Sequence, residues 1–384
     1  MLFMPNGTWC VRPDPLKPPV ASSRRGTANL CLVAEPSPVP PEPQPVLGPL
    51  TANAIFLVLT INPGGEATCR DLLEGWSGLG RAVGFRAPEG PVAAVAGIGS
   101  DAWDRLFAGP RPAELHPFRP LAGAVHQAPA TPGDLLFHVR HERMDVCFEF
   151  VTQAMTQLNG AATVVDEVHG FRYFDERDLM GFVDGTENPT GRAEQEAALV
   201  ADADPAFAGG SYVIVQKYVH PLDVWNALST EEQEKVIGRY KLSDIEMPDE
   251  IKPVNSHVAV NTIVEPDGTQ RQIVRANMPF GEVGRGEFGT YYIAYAATPS
   301  VTERMLVRMF IGEPPGNTDR ILDFSTAVTG SLFFAPSADF LDDLPDPPGT
   351  PGDPPAAHPA EAPADAGPAD HGSLGIGSLK RSTS

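Results

Sequence analysis

The sequence predicts an α+β body with antiparallel sheets and helices packed at their periphery. Three observations carry that class. Apolar runs of strand length are bounded by Gly, Pro and Asn, and apolar residues at helical spacing separate them. The order strand, helix, strand, strand, helix, strand also runs through the chain twice, without sequence identity between the halves. A chain of 384 residues with 42% hydrophobic content can bury a sizeable core, as one large domain or two of ordinary size.

The elements follow in order. Ala54 to Thr60 is a continuous apolar run closed by Asn62-Pro63-Gly64-Gly65, which reads as a central strand. Cys69, Leu72, Leu73, Trp76 and Leu79 then recur at helical spacing. Pro91 to Ile98 and Leu135 to Val139 are further strands. Met144, Cys147, Phe148, Val151, Met155 and Leu158 form a helical stripe stopped by Asn159-Gly160. Val164 to Tyr173 is a strand leading to a turn at Asp184. In the second half Ser211 to Val219 is a strand. A helix capped by Ser229 or Thr230, with Glu232 and Gln233 three residues on, ends near Gly238. Gln272 to Ala276 and Gly289 to Ala296 read as strands, and Thr302 to Phe310 as a helix.

Both ends differ in composition from this body. Residues 1–49 are rich in proline and are expected to be a disordered extension; residues 339–371 are Pro, Ala, Asp and Gly with almost nothing to bury, hence a linker. The pair Arg24-Arg25 is followed by a stretch too short and polar for an export signal. A formal charge of −21 argues against non-specific binding to nucleic acid or to an anionic membrane surface, and no run of 18 apolar residues exists to span a bilayer. The four cysteines show no CxxC pair, so neither a zinc knuckle nor a disulfide scaffold is indicated.

Two strings stand out chemically. In Gly181-Phe182-Val183-Asp184-Gly185-Thr186-Glu187-Asn188-Pro189 an Asp lies between glycines that leave the main chain bare, and Gly185 can take a positive φ. That arrangement suits an acid or base aimed at a ligand; it also suits a strand-to-turn junction capped by Asp184. In Val274-Arg275-Ala276-Asn277, Arg275 and Asn277 leave the same face of an extended chain, where they meet an anion or polar ligand, or else an ion pair and a turn. His257 enters an apolar segment after a polar turn and reads as a metal ligand or as a hydrogen-bonded boundary histidine. His220 ends a strong strand. His138 and His141 flank a strand end and are expected at the surface.

The tail ends Gly372-Ser373-Leu374-Gly375-Ile376-Gly377-Ser378-Leu379-Lys380-Arg381-Ser382. Leu374, Ile376 and Leu379 are its sizeable apolar side chains, spaced by small residues that let the strip lie extended in a groove.

With these residues in view, the chain resembles the dye-decolourising peroxidases, a haem-containing family with a Gly-x-x-Asp-Gly motif, here Gly181 to Gly185. The likeness extends through Gly170 to Leu179, Ile237-Gly238-Arg239, Ser256-His257-Val258, Val274 to Gly281 and Thr318 to Ser325, in family order. It implies tandem ferredoxin-like domains, 50–180 and 181–338, with haem b in the second. By position His257 matches the axial iron ligand and Asp319 the acid that bonds its other nitrogen; His220 is the rival ligand. Asp184, Arg275 and Asn277 match the residues over the open iron face, with Arg275 also counted among those that bind the cofactor. Ala276 departs from the Asp usual there.

The implied activity is reduction of hydrogen peroxide and oxidation of organic donors such as dyes and phenolics, by way of a ferryl intermediate. Asp184 would shuttle the proton, Arg275 polarise the O–O bond and Asn277 orient peroxide or water. Activity at mildly acid pH is expected, with Tyr291, Tyr292 or Tyr295 as electron relays. The tail, 372–384, resembles the peptide that targets peroxidases into encapsulin shells, which implies cytoplasmic encapsulin cargo; a homo-oligomer is expected. The competing reading on the same fold is a haem-binding, storage or iron-handling protein without turnover.

Overall fold

The computed structural model describes residues 40–48 and 50–349. The expected targeting residues Leu374, Ile376 and Leu379 lie outside them. The first half contains β1 (Asn53–Ile61), α1 (Glu66–Glu74), α2 (Trp76–Gly84), β2 (Ala93–Gly99), α3 (Ser100–Leu106), β3 (Leu121–Ala122), β4 (Gln127–Ala128), β5 (Leu135–His141), α4 (Met144–Leu158) and β6 (Ala162–Phe171). The second half begins with α5 (Arg192–Ala198), β7 (Ser211–Val219), α6 (Leu222–Asn226), α7 (Thr230–Ile237), α8 (His257–Asn261), β8 (Ile263–Val264) and β9 (Gln270–Arg271). It closes with β10 (Val274–Arg275), β11 (Met278–Glu282), β12 (Glu287–Ala296), α9 (Pro299–Phe310), β13 (Thr326–Ala327), β14 (Ser331–Ala335) and α10 (Ala338–Asp342).

The α+β class, the antiparallel pairing and the peripheral helices hold. The strands of the two halves, however, join in one ten-stranded sheet, whose main path is β10-β12-β7-β14-β2-β5-β1-β6. The seam is β14 against β2, where Phe333 pairs with Gly99 and Phe334 with Ile98. This explains why β1 is apolar without alternation. Ile55, Leu57 and Leu59 face the core beneath α1, α2 and α4; Ala54, Phe56 and Val58 face a second core shared with β11 and β12. A strand covered on both faces needs no polar side. Gly170 lies where β6 approaches β11: a Cβ there would stand 2.6 Å from that of Met278, so only glycine lets the sheet curl this tightly.

Helix signals read from the sequence match in detail at α7, where Ser229 accepts from the Glu232 amide and Gly238 closes the helix at φ 93°. In α4, Asn159 ends the helix in the left-handed region, but Phe148 is 56% exposed and Phe150 takes its place in the core. The segment at His257 is helical rather than the entry to a strand. Ser256 sits at its head, Val260 and Thr262 donate back to Ser256 and Val258, and packing against Gly238 overrides the β-branched composition.

Packing also extends past both expected edges of the body. Gln44 is buried: its amide donates to the Ala96 and Pro336 carbonyls at 2.9 Å each, and its oxygen accepts from the Ala96 amide at 2.8 Å. At the other end α10 buries Leu341, Phe340 packs against Trp103 and Phe107, and Arg70 donates to the Pro345 carbonyl. Composition alone hides such anchors, because one buried carboxamide or one aromatic ring fixes a segment that is otherwise proline and acid.

Candidate active site

A cleft in the second half gathers His257, Asp184, Arg275 and Asn277. It encloses about 1390 Å³ of space, open solvent at its mouth included, and its lining is mainly apolar, with Met180, Phe182, Ile273, Leu306, Met309 and Ile321 among its walls. A mainly apolar cleft with a few convergent polar groups is the usual form of a small-molecule or cofactor site.

His257 opens α8, and its Nδ1–H donates to Asp319 Oδ2 at 2.7 Å. Asp319 is fully buried. Asn261, one turn after His257, donates to the same oxygen at 3.2 Å, and the Ile321 amide donates to Oδ1 at 3.0 Å. The carboxyl group engages Nδ1, and Nε2 of His257 takes no hydrogen bond among the described residues. An imidazole with a buried acid on one nitrogen and the other nitrogen unbonded is the arrangement of a metal-ligating histidine.

Asp184 lies on an irregular loop between Gly181 (φ 92°) and Gly185 (φ 81°), both in the left-handed region. Its amide donates to the Glu176 carbonyl at 3.0 Å. Arg177 braces the loop from behind, with its guanidinium donating to the carbonyls of Gly181 at 2.9 Å and Lys241 at 2.7 Å. Asn277 accepts from the Ile293 amide at 3.0 Å and donates to Asp184 Oδ1 at 3.3 Å. The guanidinium of Arg275 has no ion pair or hydrogen bond among the described residues, although its backbone amide and carbonyl are both bonded to Asn188. Tyr292, beneath them, has its hydroxyl pKa raised by burial, with the charge of Arg275 lowering it and that of Asp184 raising it further. Both charges thus act at one point.

Asp178, which the sequence reading passed over, also lines the cleft. Burial, with a contribution from the charge of Asp184, pushes its carboxyl up to about 6. His220 lines the cleft too, but it shares a 2.9 Å bond with Thr290 and no carboxylate, and burial holds it neutral, down to about 4. His138 and His141 are not surface residues. His138 is fully buried, stacked on Phe56 and bonded at 2.7 Å to the Tyr295 hydroxyl; His141 accepts from the Arg143 amide. The cover over both comes from distant parts of the chain. Of the three tyrosines proposed as relays, Tyr292 alone lines the cleft, while Tyr291 and Tyr295 point into the second core.

Comparison with known proteins bears on this arrangement. Residues 43–172 match the family model "Dyp-type peroxidase, N-terminal" and residues 175–340 match "Dyp-type peroxidase, C-terminal". A dye-decolorizing peroxidase of Rhodococcus erythropolis is 62% identical over 344 residues, covering 90% of this chain and 98% of that protein. Its counterpart in Mycobacterium tuberculosis is 60% identical over 341 residues, covering 88% and 97%. Among solved structures, the encapsulated DyP-type peroxidase from Mycobacterium smegmatis superposes with a TM-score of 0.79 at 66% identity, over 80% of this chain and all of that one. A variant of DypB from Rhodococcus jostii RHA1 in complex with heme gives 0.78 at 57% identity, over 80% of this chain and 100% of that one.

Proposed function

We propose, from the premise that this chain belongs to the Dyp-type peroxidase family, that the cleft holds haem b through His257 and uses Arg275 and Asp184 to activate hydrogen peroxide. The donor set fits that group. One imidazole with a free Nε2 and a carboxylate behind it suits an iron whose other ligands come from a macrocycle, and the apolar walls suit the faces of a porphyrin. Haem, when bound, supplies the iron at which peroxide is reduced and the oxidising equivalents passed to an organic donor.

The chain's own residues do the rest. Asp184 is a carboxylate in a half-buried loop, able to take a proton from one peroxide oxygen and return it to the departing one. Arg275 brings a positive charge that no carboxylate among the described residues pairs with, which stabilises negative charge as it develops on the leaving oxygen. Asn277 keeps one amide hydrogen with which to orient peroxide and has a second task besides. Its oxygen is spent on the Ile293 amide and its other amide hydrogen on Asp184, so it holds the aim of that carboxylate. Asp319 keeps the His257 tautomer and adds electron density to the ligand.

The observation that carries the reading is the Arg275 guanidinium, unpaired among the described residues, in the same cleft as Asp184 and the His257–Asp319 pair. A passive haem carrier has no use for it. The test is to mix haem-loaded protein with one equivalent of hydrogen peroxide and follow its absorbance, for the parent and for Arg275→Ala. A fast change in the parent that slows at least 100-fold in the variant, on the scale of about 10²–10³ per lost charge-stabilising group, is expected. A parent that binds haem tightly and does not respond to peroxide would instead favour haem storage or iron handling.

The remaining assignments belong to the same proposal. The domains divide at 180/181, dyes and phenolics serve as donors, and the chain works as a homo-oligomer. The Mycobacterium smegmatis relative is an encapsulated enzyme. The tail of this chain, through Leu374, Ile376 and Leu379, would bind a shell protein in the same way and place the enzyme in a cytoplasmic encapsulin compartment. Deleting 372–384 should leave the peroxide reaction unchanged and abolish co-assembly with the shell on size exclusion; continued co-assembly would remove the tail from the account.

A further inference from the structure

We infer that Asn188 is a positioning residue that holds Arg275 and ties it to the Asp184 loop, an inference that rests on the peroxide-activating role given to Arg275 above. Arg275 belongs to β10, a strand of only two residues. On one side β10 pairs with β12, Arg275 opposite Ala294. On its other side no strand among the described residues is paired with it in the sheet. There the Asn188 carboxamide takes the place of a strand: its Oδ1 accepts from the Arg275 amide at 3.0 Å and its Nδ2 donates to the Arg275 carbonyl at 2.7 Å.

Both backbone groups of one residue are thus satisfied by one side chain, as a neighbouring strand residue would satisfy them. A two-residue strand with one open edge would otherwise leave the Arg275 main chain free to rotate, and its unpaired guanidinium would swing with it.

Asn188 also stands four residues after Asp184 in the same loop. Its own amide donates to the Gly185 carbonyl at 3.0 Å, and its side-chain amide passes within 3.5 Å of where a Cβ on Gly185 would lie. Pro189 after it is buried and keeps Asn188 out of helical backbone. A rigid chain of bonds therefore runs from Arg275 through Asn188 to Gly185 and Asp184. A second link, Asn277 to Asp184, runs from the residue two beyond Arg275. The backbones that carry acid and cation, 91 residues apart in sequence, are tied to each other by this closed loop.

Asn188 is the one member able to bond both backbone groups of Arg275. Asp at this position keeps the acceptor and loses the donor; Ala loses both.

The experiment combines a double-mutant cycle with hydrogen exchange. Parent, Asn188→Ala, Arg275→Ala and the double variant are loaded with haem, and the second-order rate of the peroxide step is measured for each. Misplacing a group by about 1 Å costs on the order of 100-fold; Asn188→Ala is expected to slow the peroxide step by about 10–100-fold on that scale. In the Arg275→Ala background it should cost less than about 3-fold, since a residue acting through Arg275 has nothing left to position. In parallel, amide exchange across 273–277 of the haem-free protein should speed up in Asn188→Ala, with Asn188→Asp between it and the parent.

An equal loss in both backgrounds, or an unchanged exchange rate at 273–277, overturns the inference and leaves Asn188 as a general structural residue. If Arg275→Ala itself reacts at the parental rate, the functional reading fails instead; the exchange data then still decide whether Asn188 holds β10. Should Asn188→Ala not fold, Asn188→Asp carries both readouts, with a smaller loss expected on each.

Discussion

Replacing Asp319 by Asn tests the proposed iron-holding role of His257 through a change of one atom. Asp319 is fully buried and accepts from three donors: His257 Nδ1 at 2.7 Å and Asn261 Nδ2 at 3.2 Å on Oδ2, and the Ile321 amide at 3.0 Å on Oδ1. In the variant one oxygen becomes an NH₂ group, which must face donors wherever it is put. At the Oδ2 position it meets two, at Oδ1 only one, so the oxygen stays toward His257 and the Ile321 amide is left against another donor. That mismatch costs about 1–3 kcal/mol of folding stability. His257 keeps a partner and its tautomer, but a neutral one in place of an anion, and a charge-assisted bond is roughly twice as strong as a neutral one. Loss of such a partner lowers metal affinity or activity by about 10–100-fold, or ~1.4–2.7 kcal/mol. Three measurements check this: haem titration of the haem-free protein, its thermal unfolding, and the reduction potential of the loaded protein. We expect weaker haem binding by that factor, a potential shifted upward because the ferric state loses a stabilising anion, and a lower unfolding temperature. Parental affinity and potential together with a lower unfolding temperature would refute the reasoning, since Asp319 would then be only a structural acceptor for the turn at Ile321.

Two further outcomes follow from the same geometry. Gln44→Ala removes three buried hydrogen bonds at 2.8–2.9 Å, and at roughly 1 kcal/mol each it should lower stability by about 3 kcal/mol in urea unfolding; a loss below about 1 kcal/mol would mean that water takes the place of the carboxamide. His220 is pushed from 6.5 to about 4 by burial, so between those values the unfolded chain binds a proton that the folded chain refuses. Its contribution is intact above pH 6.5 and is lost as pH falls toward 4, a loss of about 3 kcal/mol that His220→Asn should remove from the pH dependence of unfolding.

How much of this could be read from the chain depended on whether the cause was local. β1 was legible because burial on both faces leaves an unbroken apolar run, and α7 because Ser229 and Gly238 punctuate it directly. The glycines at 181 and 185 announced a bare turn, and both adopt positive φ. Where the cause is distant, local pattern misleads. His138 looks polar at a strand end, yet its cover is Tyr295, 157 residues away, and Phe56 across the sheet. His257 precedes a β-branched run and still begins a helix, because Gly238 and the turn at Ser256 dictate the backbone there. Residues 40–48 have the composition of an unfolded arm, yet buried Gln44 and Val46 and a bridge from Pro43 to Ser337 anchor them.

The site is built on the least regular parts of the fold, and this is why amides recur in it. Asp184 is on a loop, Arg275 in a two-residue strand, His257 in a five-residue helix and Asp319 at the head of a short 3₁₀ turn. None of these elements is long enough to hold its own geometry. Each is held instead by a carboxamide: Asn188 on the Arg275 backbone, Asn277 between Asp184 and the Ile293 amide, Asn261 between the His257 carbonyl and Asp319. A carboxamide offers one donor group and one acceptor, as a peptide unit does, so it can stand in for missing main chain. It also does so without charge. At positions 188 and 277 a Lys or Glu would add a charge next to Arg275 or Asp184, whereas Asn fixes position and leaves the electrostatics of that pair unaltered.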